Sequence, residues 1–181
     1  AEGDERLAFL SEASKAQAKR SLKRALDMLV ATQVNVNGEP TIWGGQHDPE
    51  TLEPTSARAF EPVALATSES ADLVRFLMTL EHPPENIRKA IDSANQWFAR
   101  HQIDGLRYRR GEQLPALVPE EGADPLWARF YDIESDRPVF GDRDGKVYFD
   151  LDQVSAERRA GYGWYTEQPR KALKEYAKWK Q

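Results

Sequence analysis

Apolar residues recur at steps of three and four along several stretches of this chain, a spacing that writes long amphipathic helices into it. Between about residues 4 and 33, Leu7, Leu10, Ala18, Leu22, Ala25, Leu26, Leu29 and Gln33 follow that spacing, while lysines and arginines fill the opposite side. The run Lys15, Lys19, Arg20, Lys23 and Arg24 is expected to be the solvated face of this helix rather than a polyanion site. A second helix is predicted from a cap at Ser68 or Ser70, with Leu73, Phe76, Leu77 and Leu80 turned to the core. A third opens at Pro84 and carries Ile87, Ile91, Ala94, Trp97 and Phe98, and a last one led by Pro169 carries Leu173, Tyr176 and Trp179.

The stretches between are irregular. Asn35 to Pro40, with Asn37-Gly38 at its centre, is a turn, and the segment Thr41 to Asp48 after it is expected to be a loop. Gly111 to Asp124 holds prolines, glycines and acids without periodicity and is read as a surface excursion. Alternating aromatics on either side of Asp144-Gly145 predict a small β-hairpin reaching Phe149. No repeat or low-complexity tract interrupts the 181 residues, which fit a single domain, 1–181.

Composition removes several function classes. With no cysteine, thiolate nucleophiles, disulfide scaffolds and cysteine-bound metal centres are excluded. A net charge of -5 argues against a general nucleic-acid binder, which presents a broad basic surface. No apolar run reaches the ~20 residues that a bilayer requires, so no membrane partner is expected. There is no Gly-x-Ser-x-Gly elbow and no phosphate-cradling glycine loop. His47, His82 and His101 are too scattered for a histidine zinc site, and Asp142-Arg-Asp-Gly145 lacks the remaining ligands of a calcium loop. His82 and His101 are read as incidental residues at helix edges.

What remains is concentrated around Trp43-Gly-Gly-Gln-His47-Asp48 and Arg58, an indole, imidazole, carboxylate and guanidinium among glycines and prolines, which suits the grip of a polar ligand. His47 and Asp48 are the conventional proton-transfer pair. They have an equally good structural explanation: Asp48 capping a turn before Pro49, and His47 packing under Trp43. Arg58, Arg129, Arg137 and Arg143 lie in aromatic, turn-flanked segments. A guanidinium takes a carboxylate in two-pronged fashion and neighbouring rings stack on sugar faces, so the set suits an acidic saccharide. The competing explanation is that each pairs with a nearby Glu61, Asp132, Asp136 or Asp144.

Read together, Trp43-x-x-Gln46-His-Asp48, Pro54-x-x-Ala57-Arg58-x-Phe-Glu61, Glu69-Ser70, Phe76-Leu-Met78, Trp97-Phe98, Trp127-Ala-Arg129-Phe-Tyr131, Arg137-Pro-x-Phe140, Arg143-Asp-Gly145 and Arg158-Arg-x-Gly-Tyr162-x-Trp-Tyr165 resemble, in order and spacing, the pectate lyases of the tenth polysaccharide lyase family. The likeness runs from about residue 10 to the C-terminus.

The resemblance implies a mainly α fold, part of an (α/α) toroid with short irregular β segments. It implies calcium-assisted β-elimination on α-1,4-linked polygalacturonate, with Ca2+ as cofactor and metal ligands that this chain does not identify. By the same carry-over, Arg58 is the base that takes the C5 proton, Arg129 and Arg143 clamp substrate carboxylates, and His47 and Asp48 shape the site. Trp43, Tyr131 and Tyr162 are expected to stack on galacturonate. The family's catalytic domains carry a further upstream stretch with calcium-binding acids, so this chain is expected to be a lyase-derived, C-terminal portion whose site is incomplete in isolation. It is further expected to be a monomer, paired with that N-terminal segment, secreted or periplasmic in a bacterium, and to expose apolar residues on its first helix. The alternative function is a non-catalytic module that binds acidic polysaccharide.

Overall fold

The computed structural model describes residues 8–111 and 113–181. The chain divides into two compact units, Ala1–Ala31 and Thr32–Gln181. The first unit is essentially helix α1, Glu12–Ala31. The helix starts later than its periodicity suggests because Ser11 acts as a cap: its Oγ accepts from Ser14 N at 3.1 Å. The part of the predicted helix before residue 8 lies outside the described residues. No residue of α1 is buried, and Leu22 and Met28 are among the exposed apolar side chains. Lys19, Arg20, Lys23 and Arg24 are all exposed, and Lys23 forms a pair with Asp27 one turn on, at 2.7 Å.

The second unit is built on three helices, α2 (Thr67–Met78), α3 (Glu85–Arg100) and α5 (Gln168–Trp179), which pack against one another. A short α4 (Ala156–Gly161) precedes the last of them. In α3 the predicted stripe is the core: Ile87, Ile91, Ala94, Trp97 and Phe98 are all buried, and Pro84 sits at its N-cap. In α2 the buried face is instead Ser70, Ala71, Val74 and Leu77, while Phe76 is exposed. Neither predicted serine caps this helix. Its N-cap is Ala66, and Ser70 lies inside, bonded to the backbone of Trp43.

Among the described residues, ten two- or three-residue strands form five antiparallel pairs. β1 (Asn35–Val36) and β2 (Glu39–Pro40) meet across Asn37-Gly38, where φ is +54° and +86°; this left-handed pair is what a tight hairpin turn requires. β3 (Leu65–Ala66) pairs with β7 (Phe130–Tyr131), and β6 (Trp127–Ala128) with β10 (Tyr165–Thr166). β8 (Phe140–Gly141) pairs with β9 (Val147–Tyr148), giving the hairpin expected around Gly145. The stretch 111–124 is more ordered than its composition suggests. Within it, β5 (Leu117–Pro119) pairs with β4 (Leu106–Tyr108), and Ala116 is buried.

The core joins the helices to these ladders through three fully buried tryptophans, Trp97, Trp127 and Trp164. Two of them find acceptors for their indole N–H: Trp127 on Phe98 O at 2.8 Å and Trp164 on Arg158 O at 3.0 Å. A partner for the polar end offsets the desolvation of these two rings, whereas the Trp97 indole N–H has no hydrogen-bond partner among the described residues.

Candidate active site

Arg129 occupies the single residue between β6 and β7. Its backbone N–H donates to Trp164 O at 2.7 Å and its carbonyl accepts from Thr67 N at 3.0 Å. Thr67 Oγ1 also donates to Ala128 O at 2.8 Å. The start of α2, the β6–β7 junction and the segment after α4 are thereby locked together, and the Arg129 guanidinium projects from a fixed backbone. It meets Glu69 of α2 through Nη2.

Arg58 is held by a different device. The turn from Ala57 to Glu61 closes on itself through Glu61 N to Arg58 O at 2.8 Å and Ala57 N to Glu61 O at 3.2 Å. Phe60 is buried and anchors this turn. Folding back, the Glu61 carboxylate receives Arg58 Nε at 2.8 Å, Nη2, and the Arg58 backbone N–H at 3.2 Å. A fourth donor, Tyr162 OH, reaches the same carboxylate at 2.7 Å. So many donors lower the Glu61 pKa to about 2, the Arg58 side chain being the largest cause. Reciprocally, Glu61 raises the hold of Arg58 on its proton. Burial, followed by the bond to Glu61, raises the Tyr162 phenol.

Four guanidiniums converge on two rings. Arg58 and Arg158 lie 4.9 and 4.4 Å from the Phe60 centroid, Arg143 5.9 Å from it, and Arg129 5.4 Å from the Tyr162 centroid. The two rings themselves meet edge to face at 5.2 Å. Ring faces are negative, so an aromatic pair can seat cations whose mutual repulsion would otherwise scatter them. Beside this cluster opens a cleft of about 510 Å³, walled by Gly45, Gln46, Arg58, Glu61, Glu69 and Arg129 among others.

The structure separates the sequence candidates into two groups. Arg58, Arg129, Arg143 and Tyr162 come together. Trp43 and Tyr131 are instead in the core, at 3% and 2% exposure, and do not offer a ring face to a sugar. His47 is spent locally: Nδ1 donates to Leu52 O at 2.8 Å, which fixes the tautomer, and Nε2 accepts from Gly44 N at 3.2 Å. Asp48 caps the following turn, accepting from Glu50 N at 2.9 Å and Thr51 N at 2.8 Å, and these backbone donors, Thr51 first, lower its pKa. The loop bearing Trp43 is pinned by Ser70, whose Oγ accepts from Trp43 N at 3.0 Å and donates to Trp43 O at 3.2 Å.

Arginine pairing holds in kind but with other partners. Arg58 takes Glu61 as expected, whereas Arg129 takes Glu69, and Arg143 forks onto Glu157 at 2.8 and 2.9 Å. Phe60, Glu69 and Arg158 were not among the sequence candidates for the site. Arg158 is buried, its Nε has no hydrogen-bond partner among the described residues, and a Cβ added at Gly161 would collide with its Nη2. The run Arg158-Arg-x-Gly161-Tyr162 therefore carried the signal: a glycine three residues on leaves room for a guanidinium beside the helix.

Among the described residues no three histidines, aspartates or glutamates are grouped so as to hold a metal. Glu61 and Glu69, the carboxylates of the cleft, are each committed to a guanidinium. These residues do not fit a calcium cage.

The family model for pectic acid lyase matches residues 1–173. No curated protein matches the chain significantly. Among solved structures, the family 10 polysaccharide lyase from Cellvibrio cellulosa superposes with a TM-score of 0.86 at 32% identity, over 93% of this chain and 53% of that one. A mutant of that lyase in complex with trigalacturonic acid matches with the same values. The present chain thus spans about half the length of the solved lyase it matches. With nearly its whole length inside the family model, the chain belongs to the pectic acid lyase family.

Proposed function

We propose that this chain carries the arginine side of a pectate lyase site and cleaves α-1,4-linked polygalacturonate by β-elimination. The observation that supports it most is the convergence of Arg58, Arg129, Arg143 and Arg158 on Phe60 and Tyr162, with Arg58 and Arg129 in the walls of one cleft. Family membership and the complex of the related lyase with trigalacturonic acid support the substrate class.

The chemistry starts from an exchange of carboxylates. Glu61 and Glu69 occupy the guanidiniums in the two-pronged or end-on manner that a uronate would use, so substrate enters by displacing like with like. Arg58 released from Glu61 loses the interaction that raises its proton affinity, and now faces the cationic field of Arg129, Arg143 and Arg158. In that state it gives up a proton to solvent, and the neutral guanidine takes the C5 proton and becomes guanidinium again. The electron pair of the C5–H bond forms the C4=C5 double bond as the C4–O bond breaks, and the leaving oxygen takes a proton from water. Arg129 and Arg143 hold the uronate carboxylate whose charge grows as C5 is deprotonated. Calcium, implied by the family resemblance, has no ligand set among the described residues. Placement of α2, α3 and α5 within an (α/α) toroid, and export from a bacterial cell, belong to the same proposal.

One observation favours a second reading, a non-catalytic module for acidic polysaccharide: forked onto Glu61, Arg58 holds its proton more tightly than a free arginine and is the more rarely a neutral base. The two readings part in an assay of polygalacturonate for the ultraviolet absorbance of unsaturated uronide, run with calcium and then with chelator. Unsaturated product supports the lyase. Binding of pectate without product supports the module.

A further inference from the structure

The cleft beside Arg58 does not end at Arg129. Glu69 and Arg129 also wall a second depression of about 350 Å³, which continues past Gly163 to Tyr165 and Thr166. Those two residues in turn line a third, of about 430 Å³, together with Tyr108, Arg107 and Glu120. Shared wall residues set the three side by side, a run of depressions from Arg58 to Tyr108.

Its chemistry changes along the way. At the Arg58 end the walls balance Arg58 and Arg129 against Glu61 and Glu69, with Arg143 and Arg158 on the same ring pair. Beyond Arg129 the walls add Asp72, Glu120, Asp124 and Glu167 but only one guanidinium, Arg107. That guanidinium is already held by Glu120, Arg170 pairs with both Asp124 and Glu167, and Arg75 pairs with Asp72, which leaves four carboxylates to three guanidiniums. A uronate carboxylate arriving here would meet an excess of like charge, the reverse of the Arg58 end. An uncharged sugar would not. For it the arm offers two phenol rings, Tyr108 and Tyr165, 5.2 Å apart and tilted by 53°, a surface suited to the apolar face of a pyranose.

We propose that this outer arm is a binding subsite for uncharged sugar residues of the same polymer, in particular methyl-esterified galacturonate, so that the groove takes a chain whose free carboxylates are confined to its Arg58 end. The proposal rests on the polygalacturonate reading of the inner cleft. Titration calorimetry on the whole chain tests it with trigalacturonate, the free-acid hexamer, and two hexamers that join three free to three methyl-esterified residues in opposite orders. One of the two mixed hexamers is expected to bind about fivefold tighter than trigalacturonate, the size of one good ring contact, and the free-acid hexamer less than about twofold tighter. Tyr108→Ala should remove the gain while leaving trigalacturonate affinity unchanged, which also reports that the variant is folded. Glu120→Gln, by releasing Arg107, should raise affinity for the free-acid hexamer. A free-acid hexamer that binds tighter than both mixed ones, or a gain that survives Tyr108→Ala, overturns the proposal. Failure of trigalacturonate itself to bind removes the inner-cleft reading, and the arm with it.

Discussion

At the scale of single residues, Glu61 is the hinge of the account. It collects four hydrogen bonds from Arg58 and Tyr162, and its pKa falls to about 2 from an ordinary 4.5. A depressed carboxylate contributes stability that is complete above its unfolded value and is lost as pH falls through the folded one. Wild-type protein should therefore lose urea resistance between about pH 4.5 and 2 more steeply than Glu61→Gln, and the two profiles should converge at the acid end. Parallel profiles would mean that the Arg58–Glu61 fork is not formed in solution. The glutamine variant also tests the exchange mechanism. With its grip on Arg58 weakened, trigalacturonate has less to displace and should bind more tightly, a change readable by calorimetry.

At the scale of elements, the helices are held by large side chains and the site loop by a small one. Trp97 is 1% exposed in the middle of α3, and Trp97→Ala should cost about 3–5 kcal/mol in urea unfolding. A loss below about 1 kcal/mol would mean that α3 presents another face to the core. Ser70→Ala removes one hydroxyl and with it two bonds to the backbone of buried Trp43, whose carbonyl keeps Ala66 N at 2.8 Å, at a cost of about 1–3 kcal/mol. The contrast marks what was legible in the sequence. The stripe of α3, the Asn37-Gly38 turn and the Gly145 hairpin were readable because periodicity and turn chemistry are local. Ser70 was read as a cap because serine favours that position locally, and its actual role depends on a contact 27 residues away in sequence. Phe76 fits a helical stripe, yet the partners of α2 are α3 and α5, and they cover the face of Ala71, Val74 and Leu77 instead. Arg58, Arg129 and Arg143 were found because a guanidinium in an aromatic, turn-flanked segment suits an acidic saccharide, and Tyr162 through the family resemblance. Their seat on Phe60 and the partnership with Glu69 and Glu157 arise only when distant segments meet, and so were invisible. The opposite held for Trp43 and Tyr131, whose aromatic character fits a sugar platform and a core equally well.

At the scale of the whole molecule, a chain of net charge -5 gathers four guanidiniums at one place. Attraction of an acidic saccharide is then local and short-ranged, and trigalacturonate affinity should weaken as salt shortens the Debye length to about 8 Å near 0.15 M. Affinity independent of salt would mean that the cleft recognises hydroxyls and ring faces rather than carboxylates. The central claim, that Arg58 performs the elimination and does not merely hold the sugar, is tested most directly by measuring trigalacturonate binding and unsaturated uronide release from polygalacturonate on the same samples of wild-type and Arg58→Ala protein. Wild type should release product and the variant none, with the variant keeping its fold and much of its affinity. Comparable product from Arg58→Ala would contradict it.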